Sequence, residues 1–150
     1  MNAAARHIAR EAALSAAING VLSLAFFQLA FGGLSAVTVW GAGGYALDFL
    51  PQSLAVGFMS ALVPGLLFRQ ALAKGRVAYA SVVPVPGVVV LRAVVWALAA
   101  LIVGSALAFA TLWAAEVDTI DGSAALVVKV LYGAALGAFV TSASLRRMID

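Results

Sequence analysis

Four long stretches of the chain carry almost no ionisable side chain, and this feature limits what the chain can fold into. Each stretch is 20 or 23 residues long, and only Lys129 interrupts one of them. A bilayer core about 30 Å thick is crossed by about 20 helical residues. The sequence therefore predicts an all-α polytopic membrane protein, with a single transmembrane domain over residues 1–150. The four predicted transmembrane helices cover about residues 12–34, 49–68, 93–115 and 123–145.

The composition excludes a protein that is soluble in water. Apolar residues make up 65% of the chain, charged residues make up 10%, and the mean hydropathy is +1.10. A soluble domain carries about 25% charged residues. The chain has no cysteine and a single histidine, His7, which excludes disulfides, cysteine-ligated metals and histidine clusters. We therefore expect no cofactor and no metal site.

The basic residues predict which side of the membrane each loop faces. Eight of the nine lie in the two terminal tails or in the segment between the second and third helices with its flanks: Arg6, Arg10, Arg69, Lys74, Arg76, Arg92, Arg146 and Arg147. Loops rich in lysine and arginine stay in the cytoplasm. Both termini are thus predicted to be cytoplasmic. Because the basic residues are scattered and act as topology signals, nucleic acid is not an expected partner.

Rows of small residues predict close contacts between helices. Gly133 and Gly137 form a G-x-x-x-G spacing in helix four, and helix two has Gly57, Ala61 and Gly65 at the same spacing. Such rows allow two backbones to approach closely in a membrane. The row in helix four serves either a homo-oligomer or another helix of the same chain, and we favour the second.

An internal similarity raises the alternative of two related helical hairpins. Residues 63–69 close helix two and residues 140–146 close helix four, and both segments end in arginine after small residues. An aspartate precedes each helix, Asp48 and Asp121. This pattern is expected of two hairpins repeated in parallel about an axis along the membrane normal. It is also expected of any two helices that end on the cytoplasmic side.

Polar side chains within the spans are the first candidate functional residues, because they are costly in hydrocarbon. Asn19 shares one face of helix one with Ser15 and Ser23, whereas Gln28 lies on a different side. Asn19 is either a hydrogen-bonding group that holds two helices together or part of a ligand or ion site.

Lys129 is the one charge inside a predicted span, about six residues from its outer end. It is either an interfacial anchor that extends to water or the partner of Asp48, a pair that would fix helices two and four together. Tyr132, one turn further on, is an expected polar neighbour. Asp48 and Asp121 each precede a helix, where a carboxylate can cap free N–H groups.

Aromatic residues near the predicted helix ends are expected at the depth of the lipid headgroups. These residues are Trp40, Tyr45, Trp96 and Trp113. The glycine-rich segment Gly41 to Gly44 is not followed by the lysine of a phosphate-binding loop, so it indicates a flexible turn.

The sequence lacks the residues that enzymes and proton-coupled exporters need. No span carries a carboxylate near its centre, which a small proton-coupled drug exporter requires. There is no H-x-x-x-H, no serine, histidine and aspartate set, and no pair of acids within a span. We therefore expect no enzymatic activity and no catalytic residue.

Several short motifs resemble a group of short four-span bacterial inner-membrane proteins with no assigned activity. They are the run from Asp48 to Ser53, the segment from Leu62 to Leu66, Lys129-x-x-Tyr132-Gly133, and Ile18-Asn19-Gly20. The resemblance covers most of the chain and implies a multi-pass protein of the bacterial inner (cytoplasmic) membrane. It implies no mechanism and no functional residues.

Two functions fit the sequence. The first is a non-enzymatic membrane component that acts through helix contacts, as a homo-oligomer or as an accessory subunit of a larger complex. The second is a small oligomeric permease or channel for an ion or small solute, with Asn19, Gln28 and the region of Lys129 along its path. In both cases the lipid bilayer is the constant partner.

Overall fold

The computed structural model of the protein describes residues 3–77 and 84–149. Within these residues it contains four long helices and one sheet of two short strands. All four helices are long and apolar enough to cross a membrane, so the protein is all-α with four candidate spans, as the sequence predicts. The helices are α1 (Ala3–Phe31), α2 (Phe49–Ala73), α3 (Pro86–Ala114) and α4 (Gly122–Ile149).

The helices are longer than predicted at the end of the bundle that carries most basic residues, here called the basic end. α1 begins at Ala3 rather than residue 12, α2 ends at Ala73 rather than residue 68, α3 begins at Pro86 rather than residue 93, and α4 ends at Ile149 rather than residue 145. Arginine and lysine favour helix and can extend to water at a membrane surface, so charge-free length underestimates helix length.

The opposite end of the bundle carries a feature that the sequence analysis missed. Strand β1 (Ala36–Thr38), between α1 and α2, pairs antiparallel with strand β2 (Thr119–Asp121), between α3 and α4. Val37 lies opposite Ile120. We call this end the sheet end. The strands are too short for a recognisable pattern, and their pairing joins the loop between α1 and α2 to the loop between α3 and α4. α1 stops at Phe31, not at residue 34, because Gly33 (φ +84°) turns the chain towards β1.

The first loop folds back onto the bundle and forms a packed cap. Val37, Val39, Tyr45 and Ala46 are all buried in it, together with Phe49. Tyr45 is therefore a core residue, and the prediction that it lies among lipid headgroups is wrong. The turn between Gly41 and Gly44, closed by a 3.0 Å backbone hydrogen bond, reverses the chain so that Tyr45 points inwards.

The helices pack in an order that differs from their order in the chain. α1 packs along α4, and α2 packs against both α4 and α3, whereas α1 touches α2 only briefly. The two hairpins, α1–α2 and α3–α4, therefore pack mainly against each other, and β1 and β2 pair between the same two hairpins. Two related hairpins about an axis along the membrane normal would pack in this way. The sequence repeat itself stays a prediction.

The sidedness of the spans can be checked with fused reporters. The positive charge at the basic end predicts that the sheet end faces away from the cytoplasm. Reporter domains fused after Leu34 and after Ala115 are expected to be active only outside the cytoplasm. A fusion after Ala73, at the basic end, is the control and should report a cytoplasmic location. A cytoplasmic signal after Leu34 or Ala115 would reverse the assignment.

The two aspartates that precede helices behave differently. Asp121 Oδ1 accepts hydrogen bonds from the backbone N–H of Ser123 at 2.9 Å and of Ala124 at 3.1 Å, and from the Ser123 hydroxyl, so the predicted cap of α4 is confirmed. Asp48 stands at the N-cap position of α2 but makes no capping hydrogen bond with its side chain. The predicted cap by Asp48 is wrong because its carboxylate pairs with Lys129 instead.

The Asp121 cap predicts a dependence of stability on pH. The Ser123 hydroxyl, followed by the backbone N–H groups of Ala124 and Ser123, lowers the pKa of Asp121. A carboxylate with a lowered pKa stabilises the folded state above its unfolded pKa, about 3.9, and loses that effect as the pH falls through the folded value. In detergent, the melting temperature of the wild type should therefore fall below about pH 4. The fall should be smaller in Asp121→Asn, and equal falls would contradict the assignment.

Candidate functional site

A groove lies between α1 and α2. It has a volume of about 590 Å³, and it exists because the two helices separate on either side of α4. Its polar lining residues come from three helices and the loop before α2, and its walls are mainly apolar. The polar lining residues are Asn19, Ser23, Asp48, Gln52 and Lys129. The apolar lining residues are Leu22, Phe26, Leu29, Ala30, Pro51, Ala55, Val56 and Met59.

The groove opens on the surface that faces lipid. Leu22, Phe26, Leu29 and Met59 are 44%, 61%, 83% and 48% exposed, respectively. In a protein with four apolar spans, such side chains on the helix sides lie against acyl chains. The groove is thus accessible laterally, from the acyl-chain region of the bilayer.

Lys129 and Asp48 form an ion pair in the lining of the groove. Lys129 Nζ is 2.7 Å from Asp48 Oδ2, and the two side chains are 1% and 31% exposed, respectively. Of the two interpretations of Lys129, the pair with Asp48 is present, and a lysine pointing to water is excluded by its burial. Breaking a buried pair costs several kcal/mol because it leaves one charge uncompensated, so the pair connects α4 firmly to the start of α2.

Aromatic rings complete the surroundings of Lys129. Its Nζ lies 3.8 Å from the centre of the Phe49 ring and 5.2 Å from that of Tyr45, both within the range of a cation–π interaction. Tyr45 donates a 2.7 Å hydrogen bond to the carbonyl of Ala125, one turn before Lys129. Burial, and then the charge of Asp48, raise the pKa of Tyr45, so its hydroxyl stays a donor. The packed first loop therefore covers the Lys129 ammonium with aromatic rings.

Tyr132 shares the Phe49 ring with Lys129 and forms a hydrogen bond of its own. Its hydroxyl lies 2.6 Å from the Ser53 hydroxyl, and its ring stands edge-on to Phe49 with centres 4.8 Å apart. Ser105 of α3 donates to Ser53 at 3.2 Å, so this cluster joins three helices. Within α3, the turn Ala100–Gly104 is a π-helix, and Gly104 gives room for the Tyr132 hydroxyl because a β-carbon there would lie 2.5 Å from it. Tyr132 is thus a packing residue.

Gln52 is a groove residue that the sequence analysis did not single out as a candidate. Its Nε2 donates to Ser23 Oγ at 2.8 Å and to the carbonyl of Lys129 at 3.3 Å. A carbonyl only accepts, which fixes the amide so that Oε1 points the other way. Oε1 is buried and has no hydrogen-bond partner among residues 3–77 and 84–149. A signal existed in the sequence, since Gln52 follows Asp48 by four residues and so shares its helix face.

Asn19 lies deeper in the groove, in a cluster of hydrogen bonds. Its Nδ2 donates to the Ser15 carbonyl at 2.8 Å and to the Ser60 hydroxyl at 3.0 Å. Thr141 of α4 donates to the Ser60 carbonyl at 2.9 Å. The cluster joins α1, α2 and α4, which agrees with the interpretation of Asn19 as a group that holds helices together. Its presence in the groove lining leaves a ligand contact open.

The G-x-x-x-G row of α4 faces α1. A β-carbon on Gly137 would lie 2.5 Å from Asn19 Nδ2, and one on Gly133 would overlap Ser23 Oγ. The row therefore serves another helix of the same chain, the alternative favoured from the sequence. Gln28 is exposed on α1 and belongs neither to the groove lining nor to the Asn19 cluster.

In the described part of the chain, no three or more histidine or acidic side chains are grouped so that they could hold a metal ion. The comparisons with known proteins add no relative. No family model matches the chain, and no curated protein or solved structure is significantly similar to it.

Proposed function

We propose that the protein is a non-enzymatic component of a bacterial inner membrane that acts by binding, with the groove between α1 and α2 as its working surface. The observation that carries this proposal is the groove itself. It is open to lipid, it has a volume of about 590 Å³, and its polar lining residues are held in place by contacts with α4. Binding sites for small molecules commonly have volumes of about 300–1,000 Å³, apolar walls and a few fixed polar groups.

The small-residue rows support the groove as the binding surface, because the chain uses them internally. Gly133 and Gly137 receive α1, and a β-carbon on Gly57 would lie 2.5 Å from that of Ala100 in α3. These rows are thus not free to hold a second copy of the chain. We therefore expect a partner of the protein, whether a lipid or a helix of a larger complex, to bind in the groove.

A photo-crosslinking side chain placed in the groove tests this proposal. It is introduced at Leu29, which lines the groove, and at Ile102, which is 68% exposed on α3 and lies outside the groove. After irradiation of native membranes, we expect a defined adduct, of lipid or of protein, from position 29 and only diffuse labelling from position 102. Equal, diffuse labelling at both positions would exclude the groove as a binding surface.

A small permease is the second candidate, and one observation favours it. Polar groups follow one another along the interior, from the Lys129–Asp48 pair through Gln52 and Ser23 to the Asn19 cluster. Such a line is typical of a path for an ion or small solute. Purified protein in liposomes should then pass ions or small solutes, and Asn19→Leu should abolish the flux. Absence of flux across a panel of ions and solutes would leave binding as the function.

A further inference from the structure

We infer that the groove binds a zwitterionic membrane lipid whose headgroup carries N–H donors, a phosphoethanolamine headgroup, with its acyl chain between α1 and α2. The inference rests on the proposed function and names the occupant of the groove. It is drawn from the hydrogen-bonding groups of Asp48, Gln52 and Lys129 at the sheet end of the groove, from its apolar walls, and from its volume.

The polar end of the groove combines both charges with unused hydrogen-bonding capacity. Asp48 is 31% exposed, and an ionised carboxylate that binds a lysine through one oxygen can accept further hydrogen bonds. Gln52 Oε1 is an acceptor without a partner among the described residues. The Lys129 side chain is 1% exposed. Apart from its close contact with Asp48, its Nζ has no hydrogen-bond acceptor among the described residues.

These groups define the chemistry of the headgroup. Two acceptors, one of them charged, require a donor, and a primary ammonium has three N–H groups. The spare N–H groups of Lys129 require an acceptor, which a phosphate oxygen supplies. Because the Lys129–Asp48 pair has no net charge, the complementary headgroup also has none. Phosphoethanolamine meets all three conditions, whereas phosphocholine lacks the N–H donors and phosphoglycerol lacks the cation.

The rest of the groove fits an acyl chain. From Leu22 to Ala30 the α1 wall rises about 12 Å at 1.5 Å per residue, and Ala55 and Met59 of α2 lie across from it. A transmembrane helix about 10 Å across and 30 Å long fills roughly 2,400 Å³. The groove, at about 590 Å³, seats only a minor part of such a helix. An amphiphile fits this size, with its headgroup against Asp48, Gln52 and Lys129 and its chain against the apolar walls.

The experiment measures which lipid the purified protein retains. Protein in detergent is mixed with equal amounts of phosphatidylethanolamine, phosphatidylcholine and phosphatidylglycerol with identical acyl chains, and the bound lipids are counted by native mass spectrometry. We expect phosphatidylethanolamine to be retained about tenfold over phosphatidylcholine, the effect of one charge-assisted hydrogen bond. Equal retention of these two lipids, or a preference for phosphatidylglycerol, would overturn the inference. This comparison uses the wild-type protein and needs no variant.

A pair of variants then locates the site. Ala55→Phe fills the groove, because Ala55 is exposed and lines it, whereas Ala106→Phe makes the same change at an exposed position of α3 outside it. Ala55→Phe should lose the retained lipid and Ala106→Phe should keep it. Retention by both variants would place the lipid elsewhere. A defined protein adduct from position 29 without lipid selectivity would leave the proposed function standing and remove this inference, whereas diffuse labelling would remove both.

Discussion

Replacing Gly137 with alanine is expected to lower the stability of the protein by about 1–3 kcal/mol, the usual cost of an overpacked core. A β-carbon at this position would lie 2.5 Å from Nδ2 and 3.0 Å from Cγ of Asn19. The amide cannot move away freely, because it is hydrogen-bonded to the Ser15 carbonyl and to Ser60. The melting temperature in detergent measures the effect.

Gly87 supplies the matched control for this substitution. It lies in the first turn of α3, and a β-carbon there would meet nothing within 4 Å. Gly87→Ala should therefore leave the melting temperature unchanged or raise it, since alanine reduces the freedom of the unfolded chain. If Gly137→Ala is as stable as Gly87→Ala, α1 does not sit on the Gly137 row.

Removing the carboxylate of Asp48 is expected to cost about 3 kcal/mol, at the lower end of the range for breaking a buried ion pair. Asp48→Asn leaves the Lys129 ammonium in a site that is 1% exposed, where the rings of Phe49 and Tyr45 are its other neighbours. Lys129→Met should cost less than about 1 kcal/mol, because a similar apolar volume replaces the ammonium and Asp48 keeps access to water. Asp48→Asn should therefore lower the stability more than Lys129→Met does.

The double variant measures the pair itself. With Lys129→Met present, Asp48→Asn should have little further effect, so the coupling energy is most of the cost of the single Asp48 substitution. Asp118→Asn is the control, because Asp118 is an exposed aspartate of the second sheet-end loop. It should change the stability by less than about 0.5 kcal/mol. A coupling energy near zero would contradict the pair.

The parts of the site that could be predicted from the sequence are those where a residue type in a membrane span has only one energetically favourable kind of neighbour. A lysine in a span requires a carboxylate, and Asp48 lies at the matching depth, which is why the pair could be named. Glycines four residues apart require a helix against them, which is how Gly133 and Gly137 are used.

The groove and the cap could not be predicted, for a different physical reason. The groove depends on how far α1 and α2 separate, and this distance is set by the packing of α1 on α4. That packing joins residues far apart in the chain: Asn19 and Gly137, which are in contact, lie more than 100 residues apart in sequence. The cap depends on β1 and β2, which are too short to show a periodic pattern. Tyrosine is a residue type enriched at the depth of the lipid headgroups. Tyr45 becomes buried only because the strands fold its loop back.

The packing of α1 on α4 sets the order in which the protein assembles during synthesis. α1 leaves the ribosome before α2 and α3, whereas Gly133 and Gly137, which receive it, are made after all three helices. At about 5–20 residues per second, the wait is on the order of ten seconds. During that time Asn19 has Ser60 of α2 as an early partner from another helix. A chain truncated before α4 would therefore lack the surface on which most of α1 packs.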